Sequence, residues 1–253
     1  MPTSSASGPR DWDAATYDRV GAPMTRRGLL AVDRLELQPH MTVLDAGCGT
    51  GRVTAAVLER LGPEGRVIAL DGSPSMVAEA RAVLGDDPRV AFVVADLGAD
   101  GFAEPGSLCA VVSTSTFHWV PDHPALWRRL HAALKPGGQL VVDCGGAGNI
   151  ARILQALRDL GVHDTPWTFD DPETATRELQ AAGFTDVHAR LRADPAPVTR
   201  DGVETYLRTV VLGSYVAERS AADADALVAA VARALGPEPV IDYVRLELEA
   251  RKP

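Results

Sequence analysis

From Thr42 onward, short apolar runs alternate with stretches of helical period, the pattern of βαβ units and a parallel sheet covered on both faces. The apolar runs predict strands at Thr42 to Leu44, Arg66 to Leu70, Val90 to Val94, Cys109 to Ser113 and Gln139 to Asp143. Between them Val53, Ala56, Val57 and Leu61 share one helical face, as do Val77, Ala80 and Leu84, and then Leu126, Leu130 and Leu134. Boundary signals agree: Ser73 before Pro74 is an N-cap followed by a first-turn proline, and Lys135-Pro136-Gly137-Gly138 ends a helix ahead of the next strand.

The last third has a different period. Val187, Ala189, Leu191 and Ala193 alternate with His188, Arg190, Arg192 and Asp194, and Val244, Leu246, Leu248 and Ala250 alternate likewise, so both stretches predict strands with one wetter face. Residues 195–239 between them carry two amphipathic helical patterns, Val203, Tyr206, Leu207, Val210 and then Leu227, Val228, Val231, Leu235. The expectation is one doubly wound, Rossmann-like α/β domain over 253 residues, with a flexible tail at 1–10, a helical arm at 11–40 and a helical lid inserted at 195–239.

Composition narrows the partners. With 25 Lys and Arg against 34 Asp and Glu, the formal charge is -9, and no basic stripe interleaved with aromatics is present, which argues against nucleic acid. The longest apolar runs fall far short of the roughly 20 residues a membrane helix needs. The Ser- and Pro-rich start lacks the layout of a secretion signal, so a cytoplasmic location is expected. Cys48, Cys109 and Cys144 are odd in number and widely spaced, which predicts reduced thiols and neither a disulfide framework nor a zinc site.

The chemistry concentrates in Val43-Leu44-Asp45-Ala46-Gly47-Cys48-Gly49-Thr50-Gly51, a strand running into a glycine turn and a helix. Glycines let the backbone bend sharply and approach a ligand where a Cβ would clash. The spacing is GxGxG and not GxGxxG, and Asp45 precedes the first glycine by two positions. That carboxylate would repel a pyrophosphate and attract the ammonium of an amino-acid moiety. Asp71 ends the second strand, where a carboxylate accepts both hydroxyls of a ribose, and Asp96 ends the third, where an adenine amino group could be held.

The ordered set VLDAGCGTG, ALD, ADL and LKPGG resembles the motifs of class I S-adenosylmethionine-dependent methyltransferases, over roughly Asp11 to Asp143. Asp11-Trp12-Asp13 with Tyr17, and Phe117 to His123, are similar to the trans-aconitate methyltransferase branch. The resemblance implies a seven-stranded, mostly parallel sheet whose last strand is antiparallel. It implies S-adenosylmethionine as cofactor, with Asp45, Gly47 and Gly49 around its methionine part, Asp71 at the ribose, Gly72 and Met76 around the adenine, and Asp96 and Leu97 at the adenine edge. Thr114 would meet the methionine and the reactive methyl. Two positions depart from the pattern: Cys109 where relatives usually have Asp, and His118 where the branch often has Gln.

The expected function is methyl transfer to an O, N or C atom of a small-molecule acceptor, with no metal. His118 follows the strand end nearest the methyl group and is the candidate base or acceptor-orienting residue, and Tyr17 is the candidate to close over the cofactor. A nicotinamide oxidoreductase would share the first turn and Asp71 but not Asp45 or Asp96. A methyltransferase-fold protein that binds the cofactor without methylating, as a cyclase or partner protein, is the second reading, because fold does not fix function.

Overall fold

In the computed structural model, residues 10–14, 16, 17 and 22–253 are described. Most of the expected tail, and residues 15 and 18–21 of the expected arm, lie outside the described residues. Seven strands form one sheet in the order β3-β2-β1-β4-β5-β9-β6: β1 (Thr42–Ala46), β2 (Arg66–Asp71), β3 (Val90–Val94), β4 (Leu108–Thr114), β5 (Leu134–Gly145), β6 (Thr185–Ala193) and β9 (Val244–Arg251). Neighbouring strands from β3 to β5 pair in parallel, while β9, the last in the chain, runs antiparallel between β5 and β6. Strand order reverses between β1 and β4, so the crevice outside their carboxyl ends is where a doubly wound sheet takes ligands.

The helices cap as their sequences dictate. Ser73 accepts from the Met76 amide ahead of Pro74–Leu84, Asp122 from Ala125 ahead of His123–Ala133, and Asp171 from Thr174 ahead of Pro172–Ala181, each with a proline in the first turn. Apolar residues cover both faces of the sheet. Leu44, Val111, Leu140 and Leu248 pack with Phe117, Trp127 and Leu130 on one side, and Val43, Val67 and Val112 pack with Ala31 and Val57 on the other.

Three boundaries differ from the sequence reading. β5 begins at Leu134, not Gln139, because Leu134 pairs with Leu108 across a register shift before the regular ladder starts at Gln139. The segment between β6 and β9 is pinched at its base by β7 (Ala196–Pro197) pairing with β8 (Val240–Ile241). Above that neck the first helical pattern is broken into Val203–Tyr206, a π turn at Leu207–Val211 and Gly213–Ala217, followed by the continuous helix Ala221–Leu235. These pieces share a core of their own with the helix Ala151–Asp159, built on Ile153, Leu157, Leu207, Val228 and Val231. Among the described residues no helix is long and apolar enough to cross a membrane.

Candidate active site

Because β1 to β4 run parallel, their carboxyl ends bring Asp45, Gly47, Gly49, Asp71, Gly72 and Thr114 to one edge. The first turn is set by backbone geometry. Gly47 has φ +84, and a Cβ there would lie 2.0 Å from Thr116 Oγ1, so only glycine lets the loop after β4 sit against this turn. Gly49 has φ +52 and open space where its Cβ would be.

Asp45 is fully buried. Its Oδ2 accepts from Thr54 Oγ1 at 2.6 Å, while its Oδ1 is buried with no hydrogen-bond partner. Burial, against the opposing Thr54 bond and with help from the Asp71 charge, pushes its carboxyl up to about 7. Asp71 ties two strand ends together, Oδ2 accepting from the Gly49 amide and Oδ1 from the Ser73 amide, both at 2.9 Å. Burial raises its pKa and those two amides pull it down. Met76 is buried on the first turn of the following helix.

Asp96 and Leu97 follow β3. Leu97 is buried, while Asp96 is exposed and closes a local turn by accepting from the Gly98 amide at 2.7 Å. Side-chain contacts therefore do not join Asp96 to Asp45 or Asp71; a backbone bond from Ala95 to the Asp71 carbonyl, at 3.1 Å, is the link.

The N-terminal arm docks beside Asp71. Asp11 accepts from the Ser75 amide at 3.1 Å and from the Ser73 and Ser75 hydroxyls at 2.5 and 2.8 Å, and these bonds bring its carboxyl down to about 2. Trp12 donates its amide to Ser73 Oγ and accepts from Ser75 Oγ. Tyr17 meets Trp12 edge to face, and burial raises its phenol, with Tyr243 and Asp71 adding to the rise. This strap holds Tyr17 where the charges of Asp71, Arg245 and Arg27 reach it.

At the other end of the edge, His118 sits in the turn Phe117–Trp119 after β4. Its Nδ1 accepts from the Gly145 amide at 3.2 Å, which places the proton of the neutral ring on Nε2. Burial first, and then the Arg245 charge, hold its pKa well below the usual histidine range. The ring lies between Trp119 and Phe169, 5.6 and 5.8 Å away.

The neighbouring His123 is the opposite case. Nδ1 meets Asp170 at 2.5 Å and Nε2 meets the Phe117 carbonyl at 2.9 Å. Burial works against the imidazolium, yet these acceptors raise its pKa overall. Asp170 and Glu178 lie close enough to His123 to suggest a metal site. Both ring nitrogens are already engaged, however, and Glu178 accepts from Trp127 Nε1 at 3.3 Å, so the grouping is an ion-paired brace.

Sequence reading missed the charged cluster behind the site. Arg245, read as part of a wet strand face, is 2% exposed and donates to Asp143 Oδ1 and O and to Ser115 Oγ. Arg27, also 2% exposed, donates to Asp194 at 2.6 Å and lies over the Tyr243 ring. No local spacing signals either one, because their partners come from distant strands.

Residues 43–138 match the family described as a methyltransferase domain. Trans-aconitate 2-methyltransferase of Methylobacterium radiotolerans is 33% identical over 189 residues, covering 73% of this chain and 70% of that protein. The enzyme of the same name from Rhizobium etli is 33% identical over 189 residues, 74% and 70% of the two chains. The chain is a class I S-adenosylmethionine-dependent methyltransferase.

It belongs with the trans-aconitate methyltransferase branch. Solved structures of the same fold include phosphoethanolamine N-methyltransferase 2 of Haemonchus contortus in complex with phosphomonomethylethanolamine and S-adenosylhomocysteine. That structure has TM-score 0.67 and 20% identity, and the match covers 95% of this methyltransferase and 57% of that chain. The cyclopropane synthase MmaA2 of Mycobacterium tuberculosis gives TM-score 0.59 at 20% identity, covering 89% and 83%. The cofactor fits the residues present: the unpartnered Asp45 Oδ1 suits an ammonium, and the open face of Gly49 leaves room beside it.

Proposed function

We propose that this methyltransferase moves the methyl group of S-adenosylmethionine onto a carboxylate oxygen of a small organic acid, giving a methyl ester. What carries the reading is the bond from the Gly145 amide to His118 Nδ1. With that lone pair engaged and the proton on Nε2, His118 donates and does not accept a proton. Tyr17 and Tyr243 are held as neutral phenols by burial, and Asp143 is committed to Arg245. With no free base among the described residues beside His118, and Asp45 given to the ammonium of the cofactor in this reading, the acceptor must bring a nucleophile already ionised near neutral pH, and a carboxylate is one. The trans-aconitate methyltransferases to which the chain is similar are named for such an acceptor.

In this reading Asp45, Gly47 and Gly49 hold the methionine part, Asp71 accepts from the ribose, Gly72 and Met76 surround the adenine, and Asp96 and Leu97 edge it. Thr114 lies beside the reacting methyl, Tyr17 covers the cofactor from the arm, and His118 donates Nε2–H to orient the acceptor. When bound, S-adenosylmethionine supplies a methyl group already activated on a sulfonium, so these residues contribute alignment at about 3 to 3.5 Å and exclusion of water. The segment above the β7–β8 neck walls the acceptor side. We place the enzyme in the cytoplasm, with small molecules as its partners, which its three free thiols support.

The test is incubation with methyl-labelled S-adenosylmethionine and a panel of carboxylic acids that includes trans-aconitate. The label should enter a product that mild alkali cleaves to methanol, as an ester requires. Alkali-stable label would overturn carboxylate methylation. Asp71→Ala should weaken binding of the cofactor by about 1 to 3 kcal/mol in calorimetry, since ligand hydroxyls lose a charged acceptor.

A further inference from the structure

The helix Pro74–Leu84 starts at the edge of the cofactor cleft and carries no acidic residue in its first turn. The amides at a helix start favour a negative charge, and here the arm supplies it. Asp11 Oδ1 accepts from the Ser73 hydroxyl at 2.5 Å, from the Ser75 amide at 3.1 Å and from the Ser75 hydroxyl at 2.8 Å. Those bonds, the Ser73 hydroxyl first, hold its carboxyl down at about 2, so it is ionised across the neutral range. Ser73 is the shared part. Its side chain is bonded to Asp11 and to the Trp12 amide, while its own amide donates at 2.9 Å to Asp71 Oδ1, the carboxylate assigned to the ribose.

The arm is fastened at a second place. Trp12 meets Trp119 edge to face at 5.5 Å, in the turn that carries His118 after β4. Ser73 lies just beyond the carboxyl end of β2, and β1 stands between β2 and β4 in the sheet. A segment tied to both therefore crosses the carboxyl end of β1, where the glycine turn and Asp45 lie. Tyr17, 5.7 Å from Trp12, is carried to the same place and feels the charge of Asp71. The Ser73 end is held by hydrogen bonds to an exposed carboxylate, which water can replace, and attachments of that kind open well before the fold does.

We propose that Asp11 is a positioning residue: held by Ser73 and Ser75, it fastens the arm across the cofactor cleft, and the arm must leave the two serines before S-adenosylmethionine enters or S-adenosylhomocysteine leaves. Asp11 acts through Trp12 and Tyr17, which it sets over the cofactor, and through Ser73, which joins the latch to Asp71. A latch that closes with or without the cofactor does not discriminate between the two states, so it slows entry and exit alike and leaves the equilibrium nearly unmoved. The inference rests on the assignment of Asp45 and Asp71 to the cofactor, which calorimetry on Asp71→Ala judges separately.

The rates at which S-adenosylhomocysteine binds and leaves test it, read on the full chain by stopped-flow tryptophan fluorescence, with calorimetry for the dissociation constant. Asp11→Ala should speed both rates by about tenfold and leave the dissociation constant within about threefold of wild type. Asp11→Asn keeps an oxygen for the Ser75 amide but loses the charge, so its rates should fall between those of Asp11→Ala and wild type. Ser75→Ala should speed both rates in the same direction. Added to Asp11→Ala it should do less than it does alone, since both act through one latch. Wild-type rates in Asp11→Ala would overturn the inference. So would a faster dissociation matched by weaker affinity, with association unchanged, because Asp11 would then only shape the bound site.

Discussion

Arg245 Nη2 donates to Ser115 Oγ at 3.0 Å, and Ser115 stands in the left-handed region with φ +57. A non-glycine residue pays strain there and persists only where its surroundings hold it. Here the holder is a guanidinium from β9, itself anchored by Asp143 at the end of β5. The bond fixes the corner at which the chain leaves β4 and heads for His118, so an antiparallel strand positions a loop of the parallel part of the sheet.

Arg245→Met should therefore act in two places. Asp143 would keep only the 3.4 Å pairing with Arg192, so the buried carboxylate loses its closer partner, which costs up to about 5 kcal/mol and would show as a fall in urea midpoint. The His118 pKa should rise, because a nearby positive charge that depresses it is gone. Histidine NMR titration reads that shift. Arg245→Lys, which keeps the charge without the fork, should leave the His118 titration near wild type while still losing stability. An unchanged titration in Arg245→Met would separate Arg245 from the site.

Asp45 predicts a proton coupled to cofactor binding. Its folded pKa is raised to about 7, so the protonated form contributes stability that is complete below the ordinary carboxylate pKa of about 4 and is lost as pH rises through about 7. The ligand-free protein should lose melting temperature across that window, and Asp45→Asn should flatten the loss. Binding an ammonium requires the ionised form, so S-adenosylhomocysteine should bind more tightly as pH rises from 5 to 7, with a proton released. Calorimetry in buffers of different ionisation enthalpy counts that proton, and a count of zero at pH 6 would contradict the ammonium contact.

The contrast between Asp45 and Arg245 shows what the chain makes legible. Asp45, the glycine turn and Asp71 lie at strand ends and within a local spacing, so their juxtaposition follows once the strands are parallel. Arg245 and Glu247 alternate with apolar neighbours, which reads as a solvated face, yet β9 lies between β5 and β6 and both residues are buried. Alternation reports polarity and not coverage; cross-strand partners such as Arg192 and Asp143 make the buried charges tolerable. Phe169 was hidden for the same reason, since it meets His118 only when the segment after β5 folds onto the β4 loop. The helical period between β6 and β9 shows in the sequence, whereas the β7–β8 neck and the π turn that breaks the first pattern do not.

His118 should not titrate in the working range. With its pKa held well below the usual range, kcat should stay level from pH 6 to 8, unlike the rise a histidine base would give. His118→Ala removes both the Gly145 partner and the Nε2 donor and should lower kcat/KM by about 10- to 100-fold. Gln can accept from Gly145 and donate to the acceptor, so His118→Gln should recover most of the loss. A pH–rate limb near 6.5 that vanishes in His118→Gln would restore the base role.

The brace beneath that residue gives the opposite pH dependence in stability. His123 joins Asp170 to the Phe117 carbonyl, so it fixes the turn that carries His118 against the segment that carries Phe169. Both acceptors require protons on both ring nitrogens, and the folded pKa is raised. A raised pKa contributes stability that is complete below about 6.5 and is lost as pH climbs through the folded value. The melting temperature should accordingly decline on the alkaline side of neutrality. Asp170→Asn should lower it outright at pH 6 by an amount matching about 3 to 5 kcal/mol, because the imidazolium loses a buried counter-charge, and should remove the alkaline decline. A chelator should leave both curves unmoved, since the brace needs no ion. If chelation instead lowered the melting temperature and zinc restored it, His123, Asp170 and Glu178 would be metal ligands and the ion-pair account would fall.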